Sequence, residues 1–214
     1  LVDIDKAEVR SELGNPDHII LGVDRLDYTK GILQRLRALE ELHEAGMMPP
    51  RTVFLQIATP SRERIDHYRQ TRNMVEQAVG RINGRFGSLG SQVVLYQHQS
   101  FDRERLVKLY ATADIMLVTP FKDGMNLVAK EYVACHGDGS GALVLSEFAG
   151  AAEELSEAFL CNPFDMESIK QQLLAALSAS PAEKQARMLR MHEQVISHDV
   201  NVWATAFLRC LTLG

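Results

Sequence analysis

Two short loops of the sequence carry residue types that could bind a phosphorylated ligand. In the first loop, Arg25 and Lys30 lie five residues apart, and Gly31 opens the segment that follows. A guanidinium fork and an ammonium group beside a glycine suit a phosphate or a diphosphate. The loop matches neither the G-x-G-x-x-G pattern of dinucleotide-binding folds nor the P-loop pattern. The alternative is that Arg25 and Lys30 are two solvated surface charges.

The second loop reads PFKDGMN and leads from an apolar segment into a helix that begins near Asn126. Gly124 lets the backbone turn tightly, and the free amides at the start of the helix favour an anion. Asp123 precedes those amides and Glu131 lies on the second helical turn, so each carboxylate can accept hydrogen bonds from hydroxyl groups. Hydroxyl-binding carboxylates on both sides of an anion site match the order of groups in a nucleoside diphosphate sugar. The alternative is that Asp123 only forms the turn and that Glu131 is solvated.

Apolar segments of strand length alternate with amphipathic segments along the chain. Strands are predicted at 18–23, 52–58, 92–98, 114–120, 141–147 and 158–163, and helices at 31–46, 62–81, 102–112, from 126 onward, and at 165–179, 182–197 and 199–212. This alternation predicts a doubly wound parallel α/β sheet, here one Rossmann-like domain over residues 1–214. With the common strand order 3-2-1-4-5-6, strands one and four are neighbours. The two loops then meet at the switch point where such sheets bind ligands.

The composition narrows the classes of partner. The chain has 214 residues, is 46% hydrophobic and has a formal net charge of −5, which argues against nucleic acid or an anionic membrane surface as its partner. Its apolar runs are too short to span a membrane.

Cys135, Cys161 and Cys210 show neither a CxxC pair nor metal-ligand spacing, which favours a reducing cytoplasm and predicts no metal site. Because the first residue is Leu1, we expect that a leader was removed or that this is part of a longer chain.

Five segments of the chain carry a family resemblance: GVDRLDYTKGI, ATPSRER, GRINGRFG, LVTPFKDGMNLVAKEYVAC and ALVLSEFAGAAEEL. They closely resemble the carboxyl-terminal half of the trehalose-6-phosphate synthases, which are retaining glucosyltransferases of the GT-B fold. The resemblance extends from about Asn15 to Leu208, and the string DGMNLVAKEY is highly specific to that family and its near relatives. It implies that the chain is the donor-binding half of a GT-B glycosyltransferase.

The resemblance implies that Arg25, Lys30 and Asp123 form the catalytic part of the site. Arg25 and Lys30 would hold the diphosphate of the donor, and Asp123 would bind hydroxyls of the transferred glucose. Backbone amides at the start of the following helix would help to hold the diphosphate. The residues of that turn and helix expected to contact the donor are Gly124, Met125, Asn126, Leu127 and Val128.

The resemblance also implies where the remaining parts of the two substrates lie. Glu131 would bind the ribose, and the loop from Gln99 to Phe101 would receive the base. This loop varies within the family, so the sequence leaves uridine, guanosine and adenosine open as the base. Arg62 would reach the phosphate of the acceptor, glucose 6-phosphate.

The implied reaction transfers glucose from a nucleoside diphosphate glucose, with UDP-glucose expected, to glucose 6-phosphate with retention of configuration. It needs no metal ion, other cofactor or protein nucleophile. The resemblance implies that much of the acceptor site belongs to an amino-terminal half outside this sequence, and that a last helix near 199–212, with Trp203 and Phe207, packs toward that half. The chain by itself is therefore predicted to be inactive.

Other interpretations stay open at this point. One is a related enzyme that makes another glucosyl phosphate product, such as glucosylglycerol phosphate. Another is a non-catalytic, synthase-like subunit that binds a nucleotide sugar or phosphate as a regulator, although the intact set of Arg25, Lys30, Asp123 and Glu131 argues against it. The last is a plain structural domain. The sequence does not give the oligomeric state, and a homo-oligomer is one of the options.

Overall fold

The fold is described here from a computed structural model, which describes residues 4–61 and 66–198. Its helices are α1 (Lys6–Glu12), α2 (Ile32–Glu44), α3 (Asp66–Phe86), α4 (Arg103–Thr112), α5 (Leu127–Ala134), α6 (Ala151–Glu154), α7 (Met166–Ser178) and α8 (Pro181–Ser197). Its strands are β1 (His18–Arg25), β2 (Thr52–Thr59), β3 (Val94–Gln97), β4 (Ile115–Val118), β5 (Ala142–Ser146) and β6 (Phe159–Cys161). The predicted alternation of strands and helices is confirmed.

The six strands form one parallel sheet, as predicted, in the order β3-β2-β1-β4-β5-β6, which is the common order of doubly wound sheets. Strand β1 pairs with β2 along its whole length, from His18 to Arg25. Its pairing with β4 covers only Ile20 and Leu21, opposite Ile115 and Met116. The ladder between β1 and β4 therefore stops well before the carboxyl end of β1, at the switch point of the sheet.

Two apolar clusters form the core, one on each face of the sheet. Helices α2, α3 and α7 cover one face, with Leu36 and Leu173 fully buried. Helices α1, α4, α5 and α8 cover the other, with Tyr132 and Met188 fully buried. Because both faces are covered, the strands consist of nearly continuous apolar runs, as is typical of parallel sheets.

Three helices differ from the sequence predictions, and one of them is α6, which was not predicted because four residues are too few to show helical periodicity. Helix α1 was not predicted, because only Val9 of its seven residues is buried and the segment shows little apolar periodicity. Helix α3 extends to Phe86 rather than 81, although Gly80 and Gly84 weaken its helix propensity. Packing accounts for the extension, since Ile82 is fully buried.

Two other features bear on the sequence predictions. The closing helix predicted near 199–212, with Trp203 and Phe207, lies outside the described residues. No helix within the described ranges is long and apolar enough to cross a membrane.

Candidate donor-binding site

The loop after β1 presents Lys30 from a tightly shaped turn. Asp27 accepts hydrogen bonds from the amide and the hydroxyl of Thr29, at 2.9 and 2.8 Å, and so caps one turn of 3-10 helix, Tyr28–Lys30. Gly31 then adopts a left-handed conformation with a φ of 66°. A Cβ atom at this position would lie 2.1 Å from the backbone oxygen of Thr119. Glycine is therefore required here both by the backbone angle and by the close approach of β4.

The loop after β4 is joined by backbone hydrogen bonds to the segment that follows β5. The amide of Gly150 donates to the carbonyl of Asp123 at 2.9 Å, and the amide of Ala151 donates to the carbonyl of Met125 at 2.7 Å. Asn126 then caps α5, since its side chain accepts from the amide of Ala129 at 3.0 Å. The other amides of the first helical turn have no acceptor within the helix, which is the arrangement predicted for an anion site.

The two loops meet at an ion pair that the sequence analysis did not predict. The ammonium nitrogen of Lys30 lies 2.6 Å from Oδ2 of Asp123, and the two side chains are only 14% and 18% exposed. Partial burial alone would raise the pKa of Asp123, but hydrogen bonding and charge attraction from Lys30 outweigh it and lower the pKa below its usual value. At neutral pH the pair therefore places a carboxylate and an ammonium group side by side at the switch point.

Glu131 occupies the part of the site predicted to bind ribose. Its carboxylate accepts a hydrogen bond of 3.1 Å from the hydroxyl of Tyr110, a buried residue of α4. Burial raises the pKa of Tyr110, and the charge of Glu131 raises it further, so the hydroxyl stays protonated and donates. Phe101 precedes α4 and packs against the apolar core in a partly buried position.

Three more of the predicted site residues, Arg25, Met125 and Leu127, lie on the two loops or at the start of α5. Arg25 is exposed at the end of β1, and its side chain forms no hydrogen bond or ion pair with the described residues. Met125 and Leu127 are 50% and 60% exposed, which is high for apolar side chains. Arg62 lies outside the described residues, so its predicted contact with the acceptor phosphate stays a prediction.

A buried polar cluster beneath the two loops was missed by the sequence analysis. Arg35 of α2 is fully buried and forms an ion pair of 2.7 Å with Asp24 of β1. Gln56 and Thr119 also bind the guanidinium group. A signal was present in the sequence, because Arg35 follows Ile32 by three residues and so lies on the apolar stripe of α2.

Two further findings concern where the site can lie and which ligands it can hold. A cavity of about 1110 Å³ lies on the other side of the sheet, near the amino ends of the strands, against residues such as Asn15, Arg51 and Gly87, and none of the predicted site residues line it. Within residues 4–61 and 66–198, no three His, Cys, Asp or Glu side chains are grouped so that they could bind a metal ion. The prediction that the reaction needs no cofactor is left untested by this arrangement.

Comparison with known proteins places these features in a family. The sequence model of glycosyltransferase family 20 matches residues 2–212. The trehalose-6-phosphate synthase of Mycolicibacterium vanbaalenii is 56% identical over 205 residues, which are 95% of this chain and 42% of that protein. The trehalose-6-phosphate synthase of Mycobacterium sp. strain KMS is 55% identical over the same shares of the two chains. The chain thus spans less than half the length of the curated relatives it matches.

Solved structures of trehalose-phosphate synthases have the same fold as this chain. A UDP-forming α,α-trehalose-phosphate synthase from Burkholderia xenovorans, in complex with glucose-6-phosphate, matches with a TM-score of 0.90 and 42% identity, over 96% of this chain and 46% of that one. A structure from E. coli bound with UDP-2-fluoro glucose matches with a TM-score of 0.89 and 41% identity, again over 96% and 46%. These matches confirm the GT-B relationship, and together with the sequence model they show that the chain belongs to glycosyltransferase family 20.

Proposed function

We propose that this chain is the donor-binding half of a trehalose-6-phosphate synthase. In this proposal, the complete protein transfers glucose from UDP-glucose to glucose 6-phosphate with retention. One observation carries the proposal: Lys30 and Asp123 lie 2.6 Å apart at the switch point of the sheet, beside the amino terminus of α5. A cation, free amides and a carboxylate meet there, as a sugar joined to a diphosphate requires.

The ion pair between Lys30 and Asp123 is compatible with binding of both parts of the donor. The ammonium group of Lys30 has three donors and uses one of them for Asp123, so it can also donate to a phosphate oxygen. The carboxylate of Asp123 has lone pairs beyond those used by Lys30 and Asn126, and these can accept hydrogen bonds from sugar hydroxyls. Lys30 thus links the phosphate and sugar portions of the donor.

The proposed chemistry follows from these roles. The bond between the anomeric carbon and the diphosphate oxygen breaks, and the acceptor hydroxyl oxygen bonds to the same face of that carbon. The acceptor proton passes to the departing diphosphate. Arg25, Lys30 and the amides of α5 would stabilise the negative charge that develops on the diphosphate. The protein's part is thus to position both substrates and to stabilise charge, without a nucleophile or a metal ion.

The names of the relatives support the choice of substrates. One of the matching structures is named as UDP-forming and in complex with glucose-6-phosphate, and another as bound with UDP-2-fluoro glucose. Glu131 would bind the ribose and Phe101 would lie against the base. Arg62 and an amino-terminal half of the same protein would bind the acceptor.

A cytoplasmic location belongs to the proposal, and the free thiols of Cys135 and Cys161 in the described part of the chain support it.

The test is to titrate UDP-, GDP- and ADP-glucose into the chain, and to assay transfer to glucose 6-phosphate. We expect binding of UDP-glucose, no transfer by the chain alone, and transfer once the amino-terminal half is added. Chelation of divalent metals should leave that transfer unchanged. Failure of all three donors to bind would refute the donor site. Binding without transfer in the reconstituted protein would point to the regulatory subunit, or, if another acceptor is glucosylated, to a related enzyme.

A further inference from the structure

We propose that Arg35 is a positioning residue of the donor site, which holds Lys30 and the end of β4 at the separation that a diphosphate requires. The inference rests on the proposed function, because it assumes that Lys30 binds the diphosphate. Arg35 itself is fully buried and cannot touch a ligand. It would therefore act through the two loops that it joins.

The hydrogen bonds of Arg35 connect both loops of the site. Its Nη2 donates to the carbonyl oxygen of Lys30 at 2.8 Å. Its Nε donates to the hydroxyl of Thr119 at 3.0 Å, and its Nη1 donates to the carbonyl oxygen of Leu117 at 3.1 Å. One planar group thus fixes the backbone of Lys30 relative to the end of β4, from which the Asp123 loop starts.

The place of this guanidinium group in the sheet explains why it is needed. The ladder between β1 and β4 stops at Leu21 and Met116, so the strands leave a gap just before the switch point. Gly22 makes room for the guanidinium group, because a Cβ atom there would lie 2.6 Å from Nη1 of Arg35. Arg35 therefore joins β1 and β4 at this position, where the two strands lack the backbone hydrogen bonds that join neighbouring strands elsewhere in the sheet.

The negative charge of Asp24 balances the positive charge of Arg35, and Gln56 accepts a further hydrogen bond from the guanidinium group. Asp24 lies 2.7 Å from Nη1, and the two side chains are 0% and 4% exposed. Gln56 accepts from Nη1 at 3.1 Å. A buried charge pair of this kind adds little net stability but can specify a single geometry. The arrangement fits a positioning role better than a purely stabilising one.

The two loops also contact each other directly, and these contacts depend on the separation of the loops that Arg35 sets. The amide of Phe121 donates to the carbonyl of Thr29 at 2.8 Å, and the Lys30–Asp123 ion pair closes the arrangement at the surface. A lysine in place of Arg35 would keep the charge opposite Asp24. It lacks the planar fork needed to reach Lys30, Thr119 and Leu117 together. Arg35→Lys should therefore loosen the loops while keeping the ion pair.

The experiment compares binding of UDP and UMP to the wild-type chain and to Arg35→Lys. UMP lacks the second phosphate, so its affinity reports the ribose and base contacts without the full contribution of Lys30. We expect Arg35→Lys to weaken UDP binding by about tenfold, the size of one lost charge-assisted hydrogen bond. UMP binding should stay within about twofold, because sites that share no partners with a substituted residue are only weakly coupled to it. The ratio of the two affinities is the readout that a merely structural role would not change.

Leu173→Ala provides a matched control for lost stability. Leu173 is fully buried in α7, in the core and not in either loop, and its truncation should destabilise the chain without altering either affinity of the folded protein. If Arg35→Lys fails to fold, Thr119→Val removes the acceptor of Nε while keeping the shape of the side chain. A selective loss of UDP affinity of about threefold is expected for it.

The outcomes separate the inference from the proposed function. If the wild-type chain binds neither nucleotide, the proposed function fails. If it binds UDP and the variants bind UDP equally well, the positioning role of Arg35 is refuted. Equal losses for UDP and UMP would also refute it, because they would show general damage to the domain.

Discussion

The two ends of the candidate site are held in place by different forces. At the proposed phosphate end, formed by Arg25, Lys30 and Asp123, the loops are joined by the Lys30–Asp123 ion pair and by the buried guanidinium group of Arg35. At the ribose end, formed by Phe101 and Glu131, the residues rest on helix packing and on one hydroxyl group, that of Tyr110.

The difference indicates how each end should respond to change. A buried polar network specifies one arrangement, and the loss of any member leaves other groups without partners. Apolar packing with a single hydrogen bond tolerates small changes better. We therefore expect substitutions near the phosphate end to have larger effects than comparable substitutions near the ribose end.

The largest effect is expected from Gly31→Ala. The new Cβ atom would lie 2.1 Å from the backbone oxygen of Thr119, at a φ of 66° that alanine adopts with strain. We expect the free energy of unfolding to fall by about 3 kcal/mol and UDP binding to be lost or greatly weakened. Urea unfolding and a UDP titration measure both quantities.

Gly80→Ala is the matched control for this change. Gly80 lies inside α3, and a Cβ atom there would have nothing within 4 Å. The same substitution should stabilise the chain by about 1 kcal/mol through helix propensity and leave UDP binding unchanged. If the two variants behave alike, the close contact between the loops is not important for the site.

The next effect is a dependence of stability on pH, which we attribute to His136. Its Nε2 lies 3.0 Å from the carbonyl oxygen of Tyr110, near the ribose end. Burial lowers the pKa of His136 to about 4, whereas it is about 6.5 in an unfolded chain. Between these values only the unfolded state binds the proton, so stability falls as the pH drops from 6.5 to 4. The loss should reach about 3 kcal/mol.

Urea unfolding of the wild type and of His136→Gln at pH 7 and pH 4.5 measures this contribution. The variant should lose clearly less stability between the two pH values than the wild type. The same dependence on pH in both proteins would show that His136 is not the group responsible.

A third prediction separates the two carboxylates. Glu131→Gln should weaken UDP binding about tenfold, because charged acceptors make stronger hydrogen bonds to the ribose. Asp123→Asn should leave UDP binding within about threefold, since its proposed partner is the sugar. It should instead reduce turnover in the protein that includes the amino-terminal half. If both variants change UDP binding and turnover to the same extent, this division of roles is wrong.

The smallest effect is expected from Tyr110→Phe, which removes only the hydroxyl that donates to Glu131. Because this hydroxyl would act on the ribose only through Glu131, part of its hydrogen-bond energy is felt by the ligand, and UDP affinity should fall by about fivefold. Calorimetric titration at constant pH measures the change. A loss as large as that of Arg35→Lys would contradict the proposed contrast between the two ends.

Much of this fold could be predicted from the sequence because local patterns determine it. Alternating apolar and amphipathic segments identified the six strands, and the common switch-point topology placed Lys30 and Asp123 on neighbouring loops. The start of α5 near Asn126 was likewise a local signal, although it is Asn126 that adopts the left-handed conformation in this loop, with a φ of 75°, and not Gly124.

The network around Arg35 could not be predicted in the same way. Its partners Asp24, Gln56 and Thr119 come from β1, from β2 and from the residue after β4, and nothing in the local pattern shows that they converge. A charged residue on the apolar stripe of α2 indicated an unusual position, but not its partners. The pairing of Lys30 with Asp123 was missed for the same reason, since 93 residues separate them in the chain.

The most direct test of the account is a titration of UDP into the wild-type chain and into Lys30→Ala and Arg25→Ala. The account predicts one binding site, weakened about ten- to a hundredfold by either change. The loss for Arg25→Ala should be smaller at high salt because exposed charges are screened, whereas the loss for Lys30→Ala should change less because that side chain is only 14% exposed. Unchanged binding in both variants would contradict the account, because the diphosphate would then be held elsewhere.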